Sequence, residues 1–134
     1  QRQMCIRDRS RLPLNIKKLI NLYNNRDVNR LKLHINIAFN YSSKKELLNA
    51  FKCIKNKKLN INEKTVNKTL YTKLFPDPDL LIRTGGHKRL SDFLLWQISY
   101  AEIFFVKKLW PDFNSKDLSD ILSNFKVIKR NYGK

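Results

Sequence analysis

The spacing of apolar residues changes several times along the chain, and each change predicts a new helix or strand. Apolar residues recur at helical spacing from Leu12 to Tyr23, with lysines on the other side, which predicts an amphipathic helix. From Leu31 to Phe39 apolar and polar residues alternate one by one, which predicts a strand. His34, on the polar side of this strand, is interpreted as a tolerated polar residue rather than a catalytic base.

Two further helices are indicated by capping signals. The pattern is a capping residue followed three positions later by an acidic residue, as in a capping box. It occurs at Ser43 with Glu46 and at Asn60 with Glu63. Proline cannot continue a helix, so residues 76–79 are predicted to end the second one. The residues predicted to face the interior are Leu47, Phe51, Ile54, Val66, Leu70 and Leu74.

Residues 76–113 form the segment around which the rest of the chain is organised. Its apolar run at residues 80–82 is continuous, which is typical of a buried strand in a parallel sheet. Arg83 ends that strand, at the position where open α/β sheets bind their ligands. Gly85 and Gly86 allow a sharp turn and a close approach of a ligand.

Arginine and hydroxyl side chains follow the two glycines. Arg89 supplies a second guanidinium, and Ser91 is predicted to cap a helix that begins one or two residues later. Two guanidinium groups, a hydroxyl and a helix N-terminus around one turn favour binding of a phosphate or diphosphate. Arg83 could instead pair with Asp77 or Asp79. Arg89 could be a solvated loop charge, and Ser91 only a helix cap.

The remainder of this segment is largely apolar. Residues 93–100 are apolar on nearly all sides, which predicts a buried helix, and residues 103–106 predict a last buried strand. Glu102 lies between these two stretches, where a carboxylate without a partner would be costly. Asn114 or Ser115 is predicted to cap a final helix.

The composition limits the classes of function. The 28 basic and 11 acidic residues give a formal net charge of +17, which by itself favours nucleic acid or an anionic membrane as a partner. The lysines are scattered, however, and form no basic block. Cys5 and Cys53 lie far apart without metal-ligand spacing, which indicates reduced thiols and a cytosolic setting; Cys53 is interpreted as a small buried thiol. No apolar run is long enough to span a bilayer.

Residues 1–10 differ in composition from the rest of the chain. They lack the apolar core of a signal peptide, and we interpret them as a non-native leader. A single domain is then expected over residues 11–134, and the 42% of hydrophobic residues can supply its core.

Three stretches together resemble the cis-prenyltransferases, the family of the undecaprenyl diphosphate synthases. Residues 79–102 (DLLIRTGGHKRLSDFLLWQISYAE) resemble the C-terminal signature of that family. Residues 35–41 (INIAFNY) resemble its central strand and following turn, and residues 109–113 (LWPDF) its last block. The resemblance spans residues 12–133 and implies an α/β fold, here the C-terminal portion with a partial parallel sheet flanked by helices.

The resemblance also assigns roles within the central segment. Arg83, Arg89, Leu90 and Ser91 would bind isopentenyl diphosphate. Glu102 would bind Mg²⁺, the cofactor that the family uses. No catalytic residue is expected in this portion of the family's domain.

The activity implied is the condensation of isopentenyl diphosphate with an allylic diphosphate such as farnesyl diphosphate, forming each new double bond cis. The product would be a long-chain polyprenyl diphosphate such as undecaprenyl diphosphate, the lipid-carrier precursor for cell-wall synthesis. The resemblance further implies a homodimer of the full-length protein, in the cytoplasm, with peripheral contact to the membrane that receives the product. Nucleic acid is not an expected partner.

The chain departs from the family pattern at several places. Ser42, Ser43 and Lys44 replace the usual glycine pair and arginine. His87 replaces a glutamate and receives no role, and Asn131 replaces the arginine of a tail that crosses the homodimer. The family's N-terminal block Asp-Gly-Asn-Gly-Arg-Trp, which carries the catalytic aspartate, has no counterpart. The chain is therefore expected to represent the C-terminal half of the domain and to be inactive alone.

Two other functions remain as alternatives. A non-catalytic partner subunit of a heteromeric prenyltransferase is disfavoured because the residues assigned to substrate and metal are retained, namely Arg83, Arg89, Ser91 and Glu102. A basic nucleic-acid-binding domain is motivated by the net charge alone, and the sequence has neither clustered arginines nor a recognition helix.

Overall fold

The computed structural model describes residues 2–6, 13–24 and 35–130. The chain divides into two compact units, Gln1–Leu74 and Phe75–Lys134. Each unit contains one pair of parallel strands; the described residues of the first unit also form three α-helices, and those of the second unit form one. The predicted α/β class is therefore confirmed.

The first unit begins with a pair of parallel strands. Its elements are β1 (Arg2–Ile6), α1 (Leu14–Asn24), β2 (Ile35–Phe39), α2 (Ser43–Asn56) and α3 (Glu63–Thr69). The strand predicted over residues 31–39 is confirmed at β2, whereas residues 31–34, including His34, lie outside the described residues. Residues 2–6, which the sequence assigns to a leader outside the fold, form β1 and pair with β2. That residues 1–10 are non-native stays a prediction.

Helix α2 is confirmed, but its cap differs from the predicted one. Ser42 is the capping residue, and its hydroxyl accepts a hydrogen bond from the Lys45 N–H at 3.3 Å. Glu46 therefore lies one position beyond the capping-box position and faces the interior. Its carboxylate is 1% exposed and accepts hydrogen bonds from the Tyr71 N–H at 2.6 Å and from the Tyr41 hydroxyl. The predicted capping box at this helix is thus wrong.

The orientation of α2, in which Glu46 faces the interior, determines which residues form the core of the first unit. With Glu46 turned inward, the buried stripe passes through Ala50 and Ile54, which are each 1% exposed. Helix α3 is capped by Asn62, so the predicted cap at Asn60 is wrong. Val66 in the helix and Leu70 at its C-terminal end are buried as predicted, although α3 ends well before the prolines. The predicted burial of Phe51 and Leu74 is wrong, because both side chains are exposed. Cys53 is half-buried and forms no disulfide.

The second unit is built on another parallel strand pair. Its elements are β3 (Leu80–Arg83), β4 (Glu102–Phe105), a short 3₁₀ turn (Trp110–Asp112) and α4 (Ser115–Val127). In the register of the pair, Leu80 lies opposite Glu102 and Arg83 opposite Phe105. Both strands are confirmed, but their side chains are half-buried or exposed rather than fully buried. Helix α4 is also confirmed.

The helix predicted over residues 93–100 is wrong. Ser91, Asp92 and Leu94 have φ angles of 51°, 61° and 46°, in the left-handed region, whereas an α-helix requires φ near −63°. Isolated turns replace the helix, and Ser91 caps nothing. Continuous apolarity indicated burial without a period that distinguishes a helix from turns, and only Gln97 and Ile98 in this stretch are fully buried.

Membrane-spanning character is absent from the part of the chain that the structure describes. None of the helices there has the length and apolarity needed to cross a bilayer.

Candidate anion-binding site

The two glycines after β3 form the predicted turn. Gly85 and Gly86 have φ angles of 89° and 74°, which other residues rarely adopt. The Gly85 N–H donates to the Lys108 carbonyl at 2.7 Å, and the Gly86 N–H to the Val106 carbonyl at 2.9 Å. These bonds fasten the turn to the chain beyond β4. Because both N–H groups are used, an anion at this turn would depend on side chains.

Arg83 is the residue best placed to bind such an anion. Its Nε atom is buried and has no hydrogen-bond partner among the described residues, and its guanidinium forms no ion pair with any of them. The alternative pairing with Asp77 or Asp79 is therefore not formed; Asp79 pairs instead with Arg130, at 2.5 Å. A buried donor without a partner is costly, so a ligand acceptor would stabilise this side chain.

A cavity of about 260 Å³ opens beside Arg83. The residues that line it are Leu81, Ile82, Arg83, Thr84, Leu90 and Phe93. One cationic group in an otherwise mainly apolar wall suits a small ligand with an anionic end and a hydrocarbon end.

The other residues predicted to bind the anion occupy the loop that borders this cavity. Leu90 lines the cavity, whereas Arg89 and Ser91 on either side of it are exposed. Neither Arg89 nor Ser91 has a side-chain hydrogen bond or ion pair within the described chain. Their polar groups are available to a ligand, but the helix N-terminus expected after Ser91 is missing from the site.

Glu102 lies at the other end of the strand pair. Its N–H donates to the Asp79 carbonyl at 3.0 Å, and its half-buried carboxylate has no hydrogen bond or ion pair with any described residue. Since it is opposite Leu80, it is three positions, or roughly 10 Å, from the level of Arg83. The structure thus brings Arg83 and Leu90 together and leaves Glu102 apart from their cavity.

The donor chemistry of Glu102 fits one ligand of Mg²⁺. A carboxylate without a protein partner is a hard oxygen donor, and Mg²⁺ is commonly held by one or two carboxylates together with phosphate oxygens and water. Among the described residues, no group of three or more His, Cys, Asp or Glu side chains could hold a metal by itself. A metal at Glu102 would therefore need further ligands from outside the side chains that the structure describes.

Sequence reasoning missed three residues of this region. Thr84 and Phe93 line the cavity, but Phe93 had been assigned to a helix that does not form. Arg130 had received no partner, and no local pattern connects it with Asp79, which is 51 positions away.

The second unit is thus an α/β unit in which the first of two parallel strands ends at Arg83, an arginine without a partner among the described residues that lies beside a largely apolar cavity. Residues 2–133 match a family model described as putative undecaprenyl diphosphate synthase. The chain belongs to this family, the cis-prenyltransferases.

Individual relatives agree with this membership. The chain is 40% identical over 126 residues to an isoprenyl transferase of Fusobacterium nucleatum, covering 93% of this chain and 54% of the relative. It is also 40% identical over 131 residues to a chloroplastic nerylneryl diphosphate synthase of Solanum lycopersicum, covering 93% and 42% of the two chains. The chain thus spans about half the length of the curated relatives it matches.

Solved structures show the same fold. A probable undecaprenyl diphosphate synthase from Campylobacter jejuni superposes with a TM-score of 0.85 at 35% identity, covering 99% of this chain and 64% of the other. A lavandulyl diphosphate synthase from Lavandula x intermedia, solved in complex with dimethylallyl diphosphate, gives a TM-score of 0.83 at 30% identity, covering 99% and 61%.

Proposed function

We propose that this chain forms the isopentenyl diphosphate site of a cis-prenyltransferase. The single observation that carries the proposal is the state of Arg83. A buried guanidinium nitrogen without a partner in the described chain, in the wall of a largely apolar cavity, would be stabilised by an anionic acceptor. Isopentenyl diphosphate combines a diphosphate for Arg83 with a short hydrocarbon for the apolar wall.

The loop residues would complete the grip on the diphosphate. Arg89 can offer a second guanidinium and Ser91 a hydroxyl, since neither is engaged within the described chain. Leu90, between them, would contact the hydrocarbon part of the ligand in the cavity. Catalysis by these residues would be largely orientation of the isopentenyl double bond toward the second substrate.

In the proposed reaction, the terminal alkene carbon of isopentenyl diphosphate forms a bond to C1 of an allylic diphosphate. The bond between C1 and its diphosphate oxygen breaks, diphosphate leaves with the electron pair, and a proton is lost from the isopentenyl unit to form the new cis double bond. Arg83 and Arg89 would hold the nucleophilic substrate throughout this step. No side-chain nucleophile is required.

Mg²⁺ is part of the proposal through Glu102. When bound, the metal would supply charge neutralisation for diphosphate. Since Glu102 does not line the Arg83 cavity, we assign it to the metal and not to direct contact with the anion that Arg83 holds.

The finer features of the function are also proposals. We infer farnesyl diphosphate as the allylic substrate and a long-chain product such as undecaprenyl diphosphate, the lipid-carrier precursor for cell-wall synthesis. The family resemblance supports a homodimer of the whole protein, in the cytoplasm, that delivers its product to the membrane. The names of the relatives, which are prenyl transferases and prenyl diphosphate synthases, support an enzyme rather than either alternative function.

Replacing Arg83 tests the proposed site. Arg83→Ala removes a charge-assisted contact of about 1.5–3 kcal/mol and should weaken isopentenyl diphosphate binding about tenfold to a hundredfold. Arg83→Lys should recover only part of the affinity, since a point charge cannot reproduce the guanidinium fork. Isothermal titration calorimetry of the 134-residue chain with isopentenyl diphosphate measures both effects.

The matched control is Lys88→Ala, which removes one positive charge from an exposed residue of the same loop that has no described partner. It should change the affinity by less than about twofold. An equal loss in both alanine variants would reduce the site to general electrostatic attraction. An unchanged affinity in Arg83→Ala would remove Arg83 from the site.

A further inference from the structure

Arg130 contacts two segments that are distant from it in sequence. Its Nη1 atom donates to the Asp79 carboxylate at 2.5 Å, and its Nη2 atom donates to the Tyr100 carbonyl at 3.1 Å. Its guanidinium carbon also lies 5.7 Å from the centre of the Phe125 ring, within reach of a cation–π contact. The side chain is only 19% exposed. These contacts hold one guanidinium in a fixed position.

The two polar partners of Arg130 border Glu102 on two sides. Asp79 immediately precedes β3, and its carbonyl accepts the Glu102 N–H at 3.0 Å. Tyr100 is two residues before Glu102 in the chain. Arg130 thus connects both segments that meet at the first paired level of the sheet, where Leu80 lies opposite Glu102.

The Glu102 side chain has no polar contact with any described residue that would hold its carboxylate in one place. Its carboxylate makes neither a hydrogen bond nor an ion pair within the described chain, so its location depends on the backbone that carries it. That backbone is the start of β4, which is tied to Asp79. A group that holds Asp79 and Tyr100 together therefore controls where the Glu102 carboxylate is presented.

The ion pair itself should add little to global stability. Asp79 is 66% exposed, and an ion pair with so exposed a partner is weakened by solvent. Its geometric effect is local, because the guanidinium engages two segments with two different nitrogens. The Arg130 contacts are therefore expected to fix the positions of Asp79 and Tyr100 rather than to raise the free energy of unfolding of the whole chain.

We propose that Arg130 is a positioning residue that holds the Glu102 carboxylate in place for its metal. The inference rests on the proposed function only in that Glu102 is there a ligand of Mg²⁺. The placement of Glu102 by Arg130 can be measured without any metal.

The first measurement is amide hydrogen exchange in the 134-residue chain without metal. Arg130→Ala should speed exchange of the Glu102 N–H about tenfold, because loss of the charge-assisted bonds frees Asp79. The Val106 N–H, bonded to the Arg83 carbonyl at 2.7 Å at the far end of the same strand pair, should change little. Lys129→Ala removes an adjacent exposed charge without a described partner and should change neither amide.

The second measurement is binding of Mn²⁺, as a paramagnetic substitute for Mg²⁺, in the presence of inorganic diphosphate. Water-proton relaxation gives the dissociation constant. Arg130→Ala should raise it about tenfold, the lower end of the effect of removing a residue that orients a metal ligand. Arg130→Lys, which can pair with Asp79 but lacks the second guanidinium nitrogen, should give an intermediate value.

The outcomes separate the two proposals. Unchanged Glu102 exchange in Arg130→Ala overturns the positioning role whatever the metal does, as does equal acceleration at Glu102 and Val106, which would indicate general destabilisation. Metal binding that requires Glu102 but is insensitive to Arg130→Ala also overturns it. Faster exchange at Glu102 alone, with no Glu102-dependent Mn²⁺ binding in the unaltered chain, supports the placement and overturns the metal role in the proposed function.

Discussion

Arg83 and Arg130 lie in the same structural unit, and the Nε atom of each is buried without a hydrogen-bond partner in the described chain, but the terminal nitrogens of the two guanidinium groups differ in their contacts. The Arg130 guanidinium donates to a carboxylate and a carbonyl and lies over an aromatic ring. The Arg83 guanidinium forms no hydrogen bond or ion pair with any residue that the structure describes, although its Nε is buried. A guanidinium that forms no ion pair with the described residues is the feature expected of a binding residue, whereas one that bridges a carboxylate and a carbonyl holds the fold together.

The two glutamates, Glu46 and Glu102, show the same contrast. Glu46 is almost fully buried, and its carboxylate accepts hydrogen bonds from Tyr71 and Tyr41. It connects the start of α2 with the turn after α3. Glu102 has no such partners in the described chain. Of these two carboxylates, Glu102 is the one left available for a metal.

Glu102→Gln tests whether the Glu102 carboxylate binds the metal. The change keeps the shape of the side chain and removes its charge. The melting temperature of the metal-free chain should stay level or rise, because a carboxylate without a partner no longer has to be desolvated. The rise in melting temperature on adding Mg²⁺ with inorganic diphosphate should be lost, and differential scanning fluorimetry measures both quantities.

Asp112→Asn is the control for Glu102, since it removes an exposed carboxylate without a described partner from the same unit. It should keep the response to Mg²⁺. A Glu102→Gln variant that melts lower without metal, yet responds to Mg²⁺ as before, would make Glu102 a structural residue and end the metal assignment.

At the scale of elements, helix α4 is held by its N-terminus. The Asn114 side chain accepts N–H bonds from Lys116 and Asp117, and the Asp117 carboxylate accepts the Asn114 N–H at 3.0 Å, completing a capping box. Lys108, just after β4, pairs with Asp117 at 2.6 Å. The same carboxylate therefore caps α4 and ties it to the chain that follows the strand pair.

These contacts make the stability of the second unit depend on pH. The hydrogen bond from Lys108 and then the Asn114 N–H hold the pKa of Asp117 below its ordinary value. A lowered folded-state pKa stabilises the fold at pH values above the unfolded-state value near 3.8, and this stabilisation is lost as the pH falls through the lower folded-state pKa. The unaltered chain should thus be more stable than Asp117→Asn at neutral pH, and the difference should shrink in acid. Urea denaturation at several pH values measures it.

Asp120→Asn provides the comparison, because it removes an exposed carboxylate without a described partner from the same helix. The free energy of unfolding of Asp120→Asn should differ little from that of the unaltered chain at every pH. A difference for Asp117→Asn that persists undiminished at low pH would show that the side-chain shape, and not its charge, is what matters.

At the scale of the whole molecule, the length of the chain bears on activity. It spans about half of the curated relatives, and it contains no counterpart of the Asp-Gly-Asn-Gly-Arg-Trp block expected from the family resemblance. We expect the 134-residue chain to form no polyprenyl diphosphate from farnesyl diphosphate, labelled isopentenyl diphosphate and Mg²⁺. Butanol extraction of the labelled product measures this.

A full-length relative assayed in parallel serves as the positive control for elongation. Calorimetry on the same preparation should still detect isopentenyl diphosphate binding to the chain, because the residues of the proposed site are present. Labelled polyprenyl product above the level without protein would refute the expectation that the chain is inactive alone.

The sequence by itself determined the family, the strands β2, β3 and β4, and the helices α2, α3 and α4. These features depend on local periodicity, capping residues and a continuous signature, all of which act within a few positions of the chain. It also picked out Arg83 and Glu102 for their unusual positions beside apolar stretches. The largely apolar run at residues 93–100 was the exception, because it contains no period from which a helix could be distinguished from turns.

Only the tertiary structure decided which charged groups are satisfied. Glu46 meets Tyr71 across 25 positions, and Arg130 meets Asp79 across 51. Such pairings depend on how distant segments fold together, and neither periodicity nor capping encodes them. Arg83 and Glu102 are left without ion pairs among the residues that the structure describes, and this too became visible only in the folded chain.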